Sequence, residues 1–347
     1  MKIKKIGAAV VIIAMAYWFC ACGEAKKPPA EKIYAGIACY NRSDIFVNKL
    51  VDCLREGFDG LNSEKCRTAV SVRDAAGSQR TQDDQVKELL DSGCNILCVN
   101  LVDRADPSDI IDLARERGVP IIFFNREPVA EDLMQWDRLY YVGADAAQAG
   151  AMQGELAADA IQEYRRIDRN KDGKIQYVVL EGEPGHQDTI IRTESAVDAL
   201  KREGIELEKL GCGIANWSRA QAQNRMLQML SLHQNKIELV LANNDEMALG
   251  ALDAYAKLNY TESALPAFFG VDGTDAGLKA VKEGKLFATV YNNKEGQAQA
   301  MIKLAKALVT QKRMDMDKIK LEKNKYIYLE YAKVTRGNIW AFLKEEE

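Results

Sequence analysis

The stretch Asp168-Arg-Asn170-Lys-Asp172-Gly173-Lys174-Ile-Gln176 carries the most specific chemistry in the chain. Oxygen-bearing side chains alternate and a glycine follows, which is the D-x-[DN]-x-[DN]-G spacing of a Ca²⁺ loop. Hard oxygen ligands at that spacing wrap one ion, and Gly173 permits the sharp turn. Asp168, Asn170 and Asp172 would bind through their side chains. Lys174 would offer its backbone carbonyl and Gln176 its side-chain carbonyl. Position twelve is Val179 rather than Glu, so this is not a complete EF-hand, and a bidentate carboxylate has to come from elsewhere. An ion held there would be structural, because nothing beside it resembles an open catalytic position.

A second set of chemistry-bearing residues is dispersed. Asp44 and Phe46 follow one apolar run and Asn125 ends another; His186, Asp188 and Arg192 follow a third. Asn216-Trp217, Asn243-Asn244-Asp245, Asp272 and Asn292-Asn293 follow four more. Any single Asn or Asp at a strand–helix junction is more often a helix cap or turn former. Repetition at so many strand ends favours a site for a ligand dense in hydroxyls, since amides, carboxylates and a guanidinium make planar, bidentate hydrogen bonds. Trp217 stands in the polar Asn-Trp-Ser-Arg, outside any apolar stripe. It is either a packed cap on the next helix or a platform for the apolar face of a sugar ring.

The elements that must position these residues alternate between short apolar runs and helical patterns. Strands are expected at Ile33–Cys39, Cys66–Val72, Ile96–Asn100, Ile121–Asn125, Tyr140–Gly143, Gln176–Glu181, Gly211–Ala215, Leu239–Ala242, Ala267–Val271 and Phe287–Tyr291. Helices are expected after Asp44, over Thr81–Ser92 and Pro107–Arg117, from Asp145 to Tyr164, and near 188–203, 218–232, 245–258, 274–284 and 294–310. This β-α alternation indicates parallel sheets covered on both faces, an α/β fold of two doubly wound lobes. A length of 347 residues also suits two domains at about 150 residues each. In such sheets ligands bind beyond the carboxyl ends of the strands, where the dispersed polar residues fall.

Composition narrows the function. With 47% hydrophobic and 28% charged residues, the chain is not broadly disordered. A net charge of −4 and no Lys/Arg run beyond the N-terminus argue against a general nucleic-acid binder. Lys2, Lys4 and Lys5 precede the apolar run Ile6–Phe19, the charged and apolar regions of a secretory signal over residues 1–21. The run is too short to span a bilayer comfortably as a mature helix. Cys22 follows the small Ala21 at the end of that run and resembles a bacterial lipoprotein processing site, with residues 22–32 as a polar tether. Removing 1–21 takes away three Lys and no acid, which lowers the charge to −7. Six cysteines follow Cys22, mostly in apolar runs, and are expected to be buried free thiols.

Several blocks together resemble the bacterial periplasmic D-galactose/D-glucose-binding proteins of sugar ABC transporters. They are Phe123-Phe-Asn-Arg-Glu-Pro128, Tyr140-Tyr-Val-Gly143, the Asp168–Gln176 loop, Glu181-Gly-Glu-Pro-Gly-His186, Ala242-Asn-Asn-Asp245 and Phe269-Gly-Val-Asp272. The resemblance runs from about Ile33 to Val334. It implies two lobes joined by three crossings, 33–143 plus 293–328 and 144–292 plus 329–347, closing on a sugar. It implies that Asp44 and Asn125 bind from the first lobe, that His186, Asp188, Arg192, Asn244 and Asp272 bind from the second, and that Asn292 lies near the hinge. Phe46 and Trp217 would sandwich the pyranose. Glu238 would be the distant carboxylate completing the Ca²⁺ site. Three departures stand out: Lys174 replaces a neutral residue, Gln187 interrupts His-Pro-Asp, and residues 41–45 are less acidic than the family segment. A lipid anchor also departs from freely diffusing members.

The function expected on these grounds is an exported, lipid-anchored, monomeric binding protein that hands a hexose, D-galactose or D-glucose, to an ABC permease. Delivery to a membrane sensor or kinase, or binding of another monosaccharide, are the alternatives. A sugar-responsive transcription regulator would share the two-lobe architecture, but a signal sequence and no helix-turn-helix before Ile33 oppose it. An enzyme is not expected: the chain has two His, and no G-x-S-x-G, P-loop or G-x-G-x-x-G.

Overall fold

A computed structural model describes residues 30–311 and 316–343. The leader 1–21, Cys22 and most of the 22–32 tether lie outside the described residues.

The first lobe is built as the apolar runs require. Strand β1 (Glu31–Cys39) is buried continuously from Ala35 to Cys39, as expected of a parallel strand covered on both faces. Helix α1 (Ile45–Asp59) starts at Asp44, whose carboxylate accepts from the Val47 N–H, and buries Phe46, Val47, Leu50, Val51, Leu54 and Phe58. Strand β2 (Cys66–Asp74), helix α2 (Gln79–Asp91), strand β3 (Ile96–Val99), helix α3 (Ser108–Arg117), strand β4 (Ile121–Phe124), the one-turn α4 (Ala130–Leu133) and strand β5 (Leu139–Ala144) follow. The second lobe repeats the scheme: α5 (Ala146–Glu163), β6 (Ile175–Glu181), α6 (Gln187–Arg202), β7 (Leu207–Ile214), α7 (Arg219–His233), β8 (Leu239–Ala242), α8 (Asp245–Lys257), β9 (Ala267–Phe269), α9 (Asp275–Glu283) and β10 (Ala288–Tyr291). Helix α10 (Lys294–Thr310) returns to the first lobe and packs on α1. The chain ends with β11 (Tyr326–Leu329) and β12 (Ala332–Thr335).

Both sheets have the same order. The first reads β2-β1-β3-β4-β5-β11 and is parallel throughout; the second reads β7-β6-β8-β9-β10-β12, with only β12 antiparallel. Two apolar layers sandwich each sheet. Ile37, Leu50 and Phe124 lie on one side of the first and Leu97, Phe123 and Tyr141 on the other. Val240 and Phe268 lie on one side of the second, and Val179 and Phe269 on the other. In each sheet the order reverses beside its first strand, between β1 and β3 and between β6 and β8. Such switch points open a crevice at the carboxyl ends. The chain crosses between sheets after β5, after β10, and between β11 and β12.

Three details differ from expectation. Helix α2 begins at Gln79 rather than Thr81, because Ser78 Oγ accepts from the Thr81 N–H and so makes Ser78 the cap. Strand β7 begins at Leu207, and its partly exposed pattern reflects its edge position. Strands β11 and β12 are partly exposed four-residue edge strands without a continuous buried run, so they give little strand signal in the sequence. Cys39, Cys66, Cys94 and Cys98 are buried free thiols, but Cys53 is half-buried and Cys212, on edge strand β7, is free and exposed. The expectation of burial therefore fails at Cys212.

Candidate ligand cleft

The first-lobe wall forms at the ends of β1 and β4. Asp44 is held through both oxygens: one accepts the Val47 N–H at 3.0 Å, the other the Tyr40 O–H at 2.6 Å. Phe46 is buried in the first turn of α1, beside a cavity of about 220 Å³ that Asp272, Gly273 and Thr274 of the other lobe also line. Asn125 ends β4 in the left-handed region (φ 60°), which Asn tolerates better than most residues. Its amide oxygen accepts from buried Asn100 at 3.0 Å and its carbonyl from the Tyr141 O–H.

The second-lobe wall is organised around Arg192, whose side chain is almost fully buried. Its Nη2 donates to Asp188 at 3.2 Å and to the Tyr331 hydroxyl at 3.1 Å; its Nη1 donates to the Asn243 carbonyl and lies 3.6 Å from Asp272. Its Nε is buried without a protein acceptor. Burial pushes the Asp188 and Asp272 carboxyls up from the usual carboxylate range, against the pull of Arg192. His186 caps α6, its Nδ1 accepting the Asp188 N–H at 3.1 Å. Burial, helped by Arg126, Arg192 and Arg104, lowers its pKa well below the ordinary histidine value. The ring is therefore neutral, with its proton on Nε2 as a donor.

Trp217 stands edge-on to His186, with ring centroids 5.1 Å apart, and under the Arg192 guanidinium. Its backbone is left-handed (φ 61°), a strained setting for a bulky residue and the kind that clusters at functional sites. Gly182 makes room for it, since a Cβ there would collide with the indole. Asn244 caps α8 through its side-chain oxygen and donates its amide to the Trp217 carbonyl at 3.3 Å. Asp272 is also at positive φ (106°) and is joined to Asn292, whose Oδ1 accepts from Gln297 at 2.6 Å. Asp44, His186 and Asn244 each cap a helix through the side chain, as the cap reading expects.

Among the described residues, two ion pairs cross between the lobes. Arg126, just after Asn125, reaches Glu183 beyond β6 at 2.6 Å, and Lys49 of α1 reaches Asp275 of α9 at 3.1 Å. These pairs bring the two walls into direct contact. Arg126, Glu183, Tyr40 and Tyr331 were not picked out from sequence. A signal for Arg126 was present: it is a charged residue next to Asn125, two positions after the apolar Ile121–Phe124 run.

The Asp168–Gln176 loop folds locally. Asp168, Asn170 and Asp172 accept backbone N–H groups from Gly173, Asp172 and Lys174 respectively. Glu238 is brought to the loop from the start of β8, as the resemblance implied, but its two oxygens accept the N–H groups of Arg169, Asn170 and Gln176. Asn170 and Gln176 join Asp172 through their amide NH₂ groups. Among the described residues no group of three His, Cys, Asp or Glu converges as metal ligands. The donor set is nonetheless all oxygen, and Asp168 Oδ1 is buried without a hydrogen-bond partner. A hard cation suits both observations. Asp168, Asn170, Asp172, Gln176, the Lys174 carbonyl and Glu238 are the residues that would hold one.

Residues 35–313 match the periplasmic binding protein domain family. The chain belongs to that family. It is 34% identical over 326 residues to the D-galactose/methyl-galactoside binding periplasmic protein MglB of Haemophilus influenzae, covering 93% of this chain and 96% of that one. It is 28% identical over 320 residues to a putative rhizopine-binding protein of Rhizobium meliloti, covering 90% and 93%. Among solved structures, an ABC transporter solute-binding protein of Bacillus halodurans with bound myo-inositol superposes with a TM-score of 0.75 at 26% identity, covering 91% of this chain and 98% of that one. The periplasmic binding protein fold accounts for the paired sheets and the three crossings. No described helix is long and apolar enough to cross a membrane.

Proposed function

We propose that this periplasmic binding protein takes a monosaccharide between its lobes, 33–143 plus 293–328 and 144–292 plus 329–347, and presents it to an ABC permease. The observation that carries this reading is the Arg192 cluster. A buried guanidinium paired with Asp188 and Asp272, beside Trp217, offers charged hydrogen-bonding groups and an aromatic face in one place. A hydrogen bond to a charged group is worth about 1.5–3 kcal/mol, so such a wall discriminates hydroxyl positions. The ligand is a hexose, D-galactose or D-glucose. Asp44 and Asn125 bind it from one side and His186, Asp188, Arg192, Asn244, Asp272 and Asn292 from the other, with Phe46 and Trp217 on its two faces. The likeness to the galactose-binding relative supports this choice. Contact with both walls shifts the population further toward the closed form than the empty protein reaches alone, so the loaded state is the more compact one. Nothing in this role requires turnover.

The protein is exported and tethered by a lipid on Cys22, and Ca²⁺ in the 168–176 loop with Glu238 stiffens the second lobe. Thermal melting against D-galactose, D-glucose, D-ribose and myo-inositol tests the ligand class: the two hexoses should raise the melting temperature most. A larger shift with ribose or myo-inositol would replace the hexose reading. Cys22→Ala should release the protein from the membrane fraction.

A further inference from the structure

The ion pair between Arg126 and Glu183 does more than join two surfaces. Arg126 is 7% exposed, and its guanidinium lies 3.6 Å above the Tyr40 ring, within cation–π distance. Its Nη1 donates to the Val102 carbonyl at 2.8 Å, which ties it to the segment after β3. Its Nη2 donates across the cleft to Glu183 Oε2 at 2.6 Å. The same Tyr40 donates its hydroxyl proton to Asp44. One continuous chain of contacts therefore runs from Glu183 in the second lobe, through Arg126 and Tyr40, to Asp44 in the first.

We infer that Arg126 is a positioning residue: its pair with Glu183 latches the lobes shut and, through Tyr40, fixes Asp44 in its ligand-facing orientation. The inference rests on the sugar-binding reading for the role of Asp44, whereas the latch itself does not. With the lobes apart, the guanidinium keeps its Val102 anchor and its place on the ring but loses the carboxylate. Closure thus exchanges hydration of Glu183 for a short, charge-assisted bond to an already oriented donor. The second crossing pair, Lys49–Asp275, joins side chains that are 50% and 63% exposed, so solvent and salt screen it and it contributes little. The Arg126 side of the first pair is buried and its fork is aimed, which makes it the dominant ionic contribution to closure.

The test combines two readouts on the full-length mature chain. Small-angle scattering of the sugar-free protein follows lobe closure. Wild type should expand as NaCl is raised, and Glu183→Gln should already be expanded at low salt and respond little. Equal dimensions for both proteins at all salt concentrations would overturn the latch. Stopped-flow binding of D-galactose and D-glucose follows the link to Asp44. Glu183→Gln should raise Kd about tenfold, mostly through faster dissociation. Tyr40→Phe, which keeps the ring and loses the hydroxyl, should raise Kd while leaving the scattering profile unchanged. Unchanged affinity in Tyr40→Phe would overturn the coupling to Asp44. If wild type binds neither hexose, the functional reading fails while the scattering arm still decides the latch.

Discussion

The two walls of the cleft are built on different principles. The second-lobe wall is a buried ionic network: Arg192 holds Asp188 and Asp272, leans on Tyr331 and stands over Trp217, all within one lobe. The first-lobe wall is sparser. Asp44 and Asn125 are held by neutral hydrogen bonds from Tyr40, Val47 and Asn100, and Phe46 is a core residue at the edge of its helix. The denser wall is complete without its partner, so it can receive a ligand first. The sparser wall then closes on it. On this view the second lobe supplies most of the affinity and the first lobe tunes it.

Substitutions can break that asymmetry, the strongest first. Arg192→Ala leaves two buried carboxylates without their cation. Ligand affinity should fall by more than about 100-fold and the protein should lose about 3–5 kcal/mol of stability; titration and denaturant unfolding read the two effects. Asp272→Ala should lose binding comparably with a smaller stability cost, because Arg192 keeps Asp188. The aromatic pair sharpens the comparison. Trp217→Ala removes a ring poised on polar neighbours and should weaken binding about 10- to 100-fold, a larger loss in affinity than Phe46→Ala causes. If the two losses are equal, or Phe46→Ala is worse, the proposed order of the walls is wrong. Asp44→Asn keeps an oxygen for the α1 cap and should cost about tenfold in affinity.

Smaller effects are expected away from the walls. Chelation should lower the melting temperature by destabilising the second lobe around the 168–176 loop, with recovery on adding Ca²⁺; an unchanged melting curve would remove calcium from the account. Asp245 offers a pH signature. It is fully buried behind Asn244 and accepts from the Thr289 hydroxyl and the Thr274 N–H, and burial raises its pKa to about 7. Between its unfolded value and about 7 the folded state binds the extra proton, so this group favours folding at acidic pH and loses that contribution as pH rises toward 7. Asp245→Asn should therefore flatten part of the stability change between pH 5 and about 7.5 relative to wild type.

The architecture was largely legible in the sequence because buried parallel strands leave apolar runs and helices leave caps. Asp44 and Asn244 mark boundaries that the backbone uses, whereas the Ser78 cap was passed over. Strands β11 and β12 were not legible, since each becomes a strand only by pairing with β5 or β10 far away in the chain. Candidate wall positions were legible where a polar residue or an isolated Trp interrupts a run, as at Asn125, Trp217 and Asp272, all three of which take positive φ. The site was illegible where function depends on distant pairing. Tyr331 reaches Arg192 across 139 positions and Glu183 reaches Arg126 across 57, and neither leaves a local pattern. The convergence of Glu238 on the 168–176 loop came from family resemblance rather than spacing.

The central claim is that the Arg192 wall and the Asp44 wall enclose one hexose. Calorimetric titration of the mature protein with D-galactose and D-glucose tests it most directly. The account predicts one-to-one, sub-millimolar binding of at least one of them, lost in Arg192→Ala. No heat of binding with either sugar, or binding that survives in Arg192→Ala, would contradict it.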